Sequence, residues 1–91
     1  MESLKEDLIK DNLVWKLPEY LKKNQVSIYK LHKTIHEDSN LTGSRTTLYA
    51  WAESPPESMD LAIFISVLKA LSKITGKNVL VSDLIVILEE A

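Results

Sequence analysis

The chain contains no cysteine, which excludes disulfides and thiolate metal centres and suits a reducing cytoplasm. Its only glycines are Gly43 and Gly76. There is thus no glycine-rich loop to cradle a phosphate and no glycine-framed elbow to present a serine nucleophile. Serine, histidine and aspartate all occur, but in no catalytic arrangement. No enzyme activity, cofactor or small-molecule substrate is expected. No apolar run approaches the roughly 20 residues that span a bilayer, so no membrane partner is expected either. The opening Met1–Asp7 is acidic and lacks the cationic-then-apolar layout of a signal peptide; the expected location is cytoplasmic.

Positive charge is also scarce where it would matter most. The formal net charge is −2. Residues 1–36 hold seven lysines against five acidic residues, whereas residues 37–60 hold Arg45 alone against Glu37, Asp38, Glu53, Glu57 and Asp60. At 91 residues, with 45% apolar and 26% charged side chains, the chain fits one globular domain with one core rather than a disordered segment.

The apolar spacing predicts an all-α bundle of about five helices. Leu4, Leu8 and Ile9 suggest an amphipathic helix over 3–13, or a mobile arm over 1–14. Pro18 favours a helix start, since a first-turn proline lacks only an amide that would be unpaired anyway. Trp15, Leu17, Tyr20 and Leu21 would form the stripe of that helix, ending near Asn24. Ser27 caps the next helix, over 27–36, with Ile28, Leu31 and Ile35 on one face. Residues 37–43 read as a loop. Ser44 or Gly43 caps a helix from Arg45 to Glu53, which Pro55 and Pro56 cannot prolong.

Asp60 caps the longest helix, predicted to run to Thr75 before Gly76. It carries two apolar stripes: Leu61, Phe64, Ile65, Leu68 and Leu71 on one side, and Ile63, Val67, Ala70 and Ile74 nearly opposite. Ser66, Lys69 and Lys73 mark a narrow polar strip. Such a helix should be buried on two sides, against the other helices and against either residues 79–88 or a second subunit. Residues 79–88 permit helix or strand; the expectation is helix, with Ser82 or Asp83 as its cap. The surface nominated for a homodimer or another protein partner is Ile63, Val67, Ile74, Leu84 and Ile87. His32 and His36 are four apart, as in some metal pairs, but no further ligand is placed to join them, so no metal site is expected.

The Ser44–Trp51 helix has its own chemistry. Ser-Arg-Thr-Thr puts one long cation and two hydroxyls at the tip, and Leu48, Trp51 and Ala52 form the face that seats it. The segments Leu17-Pro18-Glu19-Tyr20-Leu21, Val26–Leu31 and Thr42–Ala52, followed by Asp60–Leu71 and Ser82-Asp83-Leu84, resemble in order and spacing the Cro/lambda-repressor family of helix-turn-helix proteins. The resemblance covers residues 15–88. It implies a five-helix DNA-binding domain over 15–91 that packs or dimerises through its C-terminal segment, binds double-stranded operator DNA and regulates transcription at the nucleoid. Arg45, Thr46 and Ala50 then fall where such proteins read base edges. Ser27, Lys30, Lys33, Ser44, Thr47 and Tyr49 are candidates for the DNA backbone, with Lys22 and Lys23 adding charge.

The chain departs from the family's pattern in three places. Leu31 to Ser44 is about six residues longer than usual, making Glu37–Leu41 an insertion that is either extra helix or a bulging loop. His32 stands where a small residue is common, and Ile28 and Glu53 stand where polar or basic ones are. These departures motivate an alternative: a protein-interaction module on a degenerate helix-turn-helix fold, using Leu41, Ala50 and the second stripe of the long helix, with little DNA binding.

Overall fold

A computed structural model of the chain describes residues 12–88. In chain order the elements are β1 (Leu13–Trp15), α1 (Leu17–Lys23), α2 (Ile28–Glu37), α3 (Arg45–Trp51), α4 (Leu61–Thr75), α5 (Val81–Leu84) and β2 (Ile85–Ile87). Short side-chain oxygens start three of the helices by accepting an amide that the helix itself leaves unpaired. Ser27 Oγ accepts from Lys30 N at 3.0 Å, Ser44 Oγ from Thr47 N at 3.2 Å and Asp60 Oδ1 from Ile63 N at 3.2 Å. At the far end of α4, Gly76 takes a left-handed conformation with φ of 71° and donates its N–H to Ser72 O. A side chain would disfavour that conformation.

The helices meet in one core built from Leu17, Leu21, Leu31, Ile35, Leu48, Trp51 and the inner face of α4. On α4, Phe64, Val67, Ala70 and Leu71 are buried, with Ile63, Leu68 and Ile74 half-buried around them. Helix α2 packs against this face. Burial does not divide along the two predicted stripes: Leu61 and Ile65 remain 67% and 42% exposed.

The domain is mostly helical rather than all-α. Leu13, expected to end the first helix, instead begins β1, while residues 1–11, which carry the rest of the predicted helix or arm, lie outside the described residues. Trp15, expected on the stripe of α1, is in the same strand. The strand pairs antiparallel with β2 in the register Leu13↔Ile87, Val14↔Val86, Trp15↔Ile85. Flanking bonds from Lys16 N to Leu84 O and from Leu88 N to Asn12 O, both 2.7 Å, extend the ladder.

The C-terminal helix is correspondingly short. Three successive β-branched residues, Ile85, Val86 and Ile87, suit a pleated surface better than a further helical turn. Asp83 does not cap a helix from Leu84; its carboxylate accepts from Leu80 N at 2.8 Å, ahead of α5. Helix α3 stops at Trp51, two residues before the predicted Glu53.

Two nominated interface residues are displaced from that role. Val67 and Leu84 are completely buried in the chain's own core and present nothing to a partner. No helix among the described residues is long and apolar enough to cross a membrane.

Candidate nucleic-acid interface

The segment between α2 and α3 is a loop. Helix α2 ends at Glu37, and Asp38 turns extended at φ −108° and ψ 113°. Asp38 then organises the start of the loop: its Oδ1 accepts from Asn40 N at 2.9 Å, and its backbone carbonyl accepts from Leu41 N at 3.0 Å. Its other carboxylate oxygen is ion-paired with Lys73 Nζ on α4. This hydrogen-bonded lysine, together with the Asn40 amide, holds the Asp38 carboxyl below its ordinary pKa. Further along, Thr42 N donates to Ser66 Oγ at 2.9 Å, and Ser66 in turn donates to Ala62 O at 2.8 Å. The loop residues are thus strapped to α4, with Leu41 half-buried against the core, and the strap delivers the chain to Ser44.

Helix α3 is held from below. Leu48 and Trp51 are buried. Trp15 Nε1 donates to Trp51 O at 2.6 Å, and the two indoles meet edge to face with centroids 5.9 Å apart. Such aromatic pairs add stabilisation beyond the area they bury. The opposite side is open: Ser44, Arg45, Thr46 and Ala50 are exposed, while Thr47 and Tyr49 are half-buried.

Arg45 forms no ion pair among the described residues; its guanidinium lies over the Tyr49 ring, 5.2 Å from the centroid. Stacking uses the flat face of the guanidinium and leaves its N–H edges available for hydrogen bonding. Glu53 lies two residues beyond the C-terminal end of α3, a helix that spans about 9 Å from Arg45 to Trp51 at 1.5 Å per residue. The Asp38 carboxylate is engaged by Lys73. Ser44 Oγ donates to Thr47 Oγ1 at 2.9 Å, so the outward donor of this hydroxyl pair is the Thr47 O–H.

The remaining nominated residues form a separate group. Ser27, Lys30 and Lys33 lie exposed at the start and along the outer side of α2, and the Ser27 hydroxyl proton remains available beyond the capping bond. Among the described residues, no hydrogen bond or ion pair joins this group to the α3 group, although α2 and α3 themselves are in contact. Of the nominated interface, Ile63 and Ile74 pack half-buried against the core, and Ile87 is 69% exposed. His32 and His36 stack with ring centroids 5.9 Å apart, and among the described residues no cluster of three metal-ligating side chains includes them.

Sequence reasoning missed Ser66 and Trp15 as positioning residues. Ser66 reads as part of a solvated strip on α4, yet it is only 3% exposed because the loop returns over it. Trp15 reads as one more apolar residue, whereas its indole N–H holds the base of α3. Tyr29, 63% exposed beside Lys30 on α2, belongs to the same outer surface and carries no spacing signal of its own. No protein-family model, curated protein or solved structure matches the chain.

Proposed function

We propose that this chain is a sequence-specific DNA-binding transcriptional regulator of the Cro/repressor type, reading the major groove with α3 as a homodimer on a palindromic operator. The observation that carries this reading is Arg45: a cation at an exposed helix tip, free of carboxylate partners among the described residues, on a helix whose other side is sunk in the core. Arg45 would bond a guanine edge, with Thr46 and Ala50 offering methyl contacts to neighbouring bases. Thr47, Ser27, Lys30 and Lys33 would fix the register on the phosphates. In the dimer, Ile87 takes the contact that Val67 and Leu84 are too buried to make.

The test is a gel shift with DNA from around the chain's own gene, competed with sheared genomic DNA. Arg45→Ala should remove about 1–3 kcal/mol of discrimination while leaving binding to random DNA nearly unchanged. Equal loss on both would refute base reading.

A second reading, a protein-interaction module, is favoured by one observation. Leu61 and Ile65 are exposed on successive turns of α4, directly after Glu57 and Asp60. An exposed apolar strip with carboxylates at its N-terminal end suits a protein partner better than a phosphate backbone. Retention of a protein partner without any gel shift would select this reading.

A further inference from the structure

A concavity of about 580 Å³ opens between α1, the turn after α4 and α5. Three lysines from separate parts of the chain line it: Lys16 ahead of α1, Lys23 at its end, and Lys77 just past Gly76. None of the three is in an ion pair among the described residues. Lys77 Nζ reaches Asn24 Oδ1 at 3.4 Å, and Asn24 is held by its own bond from Nδ2 to Tyr20 O at 2.9 Å. Lysines near helix ends often just offset the carbonyl partial charge there. That account covers Lys23 and Lys77 but not Lys16, which stands at the N-cap of α1.

The two carboxylates in the lining, Glu19 and Asp83, do not neutralise the lysines by contact. Asp83 is engaged at the Leu80 amide, and Glu19 is exposed on α1. Of the residues nominated for DNA, only Lys23, expected to add charge toward the backbone, lines this hollow. No residue of the strap, neither Asp38 to Thr42 nor its anchors Ser66 and Lys73, lines it.

We propose that this hollow is a binding site for a small phosphomonoester with a hydroxylated remainder. Lys16, Lys23 and Lys77 would surround the phosphoryl group as point charges. Asn78 and the free oxygens of Glu19 would meet the hydroxyls, and the hollow is within the size range of small-molecule sites. The site does not depend on the reading of α3, and its ligand would bridge α1, α4 and α5.

The test is a ¹H–¹⁵N NMR titration of the full chain at constant ionic strength. Separate arms use inorganic phosphate, ribose 5-phosphate and a random-sequence duplex, with chloride as control. Saturable shifts are expected at the amides of Asn24, Lys77, Asn78 and Asp83, with ribose 5-phosphate binding more tightly than inorganic phosphate. Lys16→Gln with Lys77→Gln should weaken binding at least tenfold. Lys77→Gln alone should weaken it several-fold, should the double variant fold poorly, and Arg45→Ala should leave it unchanged. Shifts no larger than those from chloride, or unaltered in the lysine variants, overturn the proposal. Shifts from the duplex without any from ribose 5-phosphate also overturn it, because the lysines would then serve a nucleic-acid backbone.

Discussion

Thr42 donates its backbone N–H to the hydroxyl of Ser66 at 2.9 Å, across 24 residues of chain. This bond ties the loop between α2 and α3 to α4 two residues before Ser44 begins α3. Ser66→Ala should leave the Thr42 amide without its partner and cost about 1 kcal/mol. Thermal denaturation would measure that loss, and hydrogen exchange at residues 40–43 should accelerate more than exchange in α4. Uniform acceleration across both would mean that Ser66 supports the helix rather than the strap.

Tyr49 distinguishes two roles for its side chain. If its ring holds Arg45 extended, Tyr49→Ala should lower specific DNA affinity a few-fold, matching about 0.5–1 kcal/mol for an exposed cation–π contact, while Tyr49→Phe should bind as the parent does. If the hydroxyl bonds a phosphate instead, both variants should weaken binding, on specific and random DNA alike.

Asp38 gives a pH signature. Its carboxyl is held below its ordinary value of 3.8, first by Lys73 and then by the Asn40 amide. The stabilisation it contributes is complete above that ordinary value and disappears as the pH falls through the lower folded one. Loosening of the strap should therefore appear only below about pH 4. Asp38→Asn should remove that acid-side change, which amide exchange at Asn40 and Leu41 would report.

Trp15→Phe keeps most of the aromatic bulk but deletes the bond to Trp51 O. A loss of about 1 kcal/mol is expected, together with weaker DNA binding as the base of α3 loosens. Calorimetry and the gel shift should move together; a stability loss with unchanged binding would show that α3 is positioned by Leu48 and the strap alone.

Ile87→Lys tests the proposed dimer. Sedimentation should show the variant as a monomer with its helical signal intact. A variant that stays dimeric would move the contact elsewhere, and a parent that is monomeric at micromolar concentration would remove the palindrome from the proposal.

The helix starts were legible because capping is local: Ser27, Ser44 and Asp60 each sit directly before the helix they begin. The seating of α3 by Leu48 and Trp51 was legible for the same reason, through three-residue spacing. The sheet was not. Three-residue strands carry no usable periodicity, and Leu13 finds its partner Ile87 from the opposite end of the described chain. Nor could spacing along α4 reveal that Ser66 is roofed by a loop while Leu61 is bare, since that depends on where the loop between α2 and α3 returns. Lys16, Lys23 and Lys77 share a hollow only after folding, and no local pattern connects them.

The pairing of β1 with β2 has a mechanical consequence. Asn12 and Leu88 are bonded to each other at the outer end of the pair, so tension applied across these two residues opens the ladder one rung at a time instead of shearing every rung together. The sheet should therefore yield at low load while the helices stay intact. The last bond to part joins Lys16 to Leu84, after which the load passes along the backbone into α1 and α5.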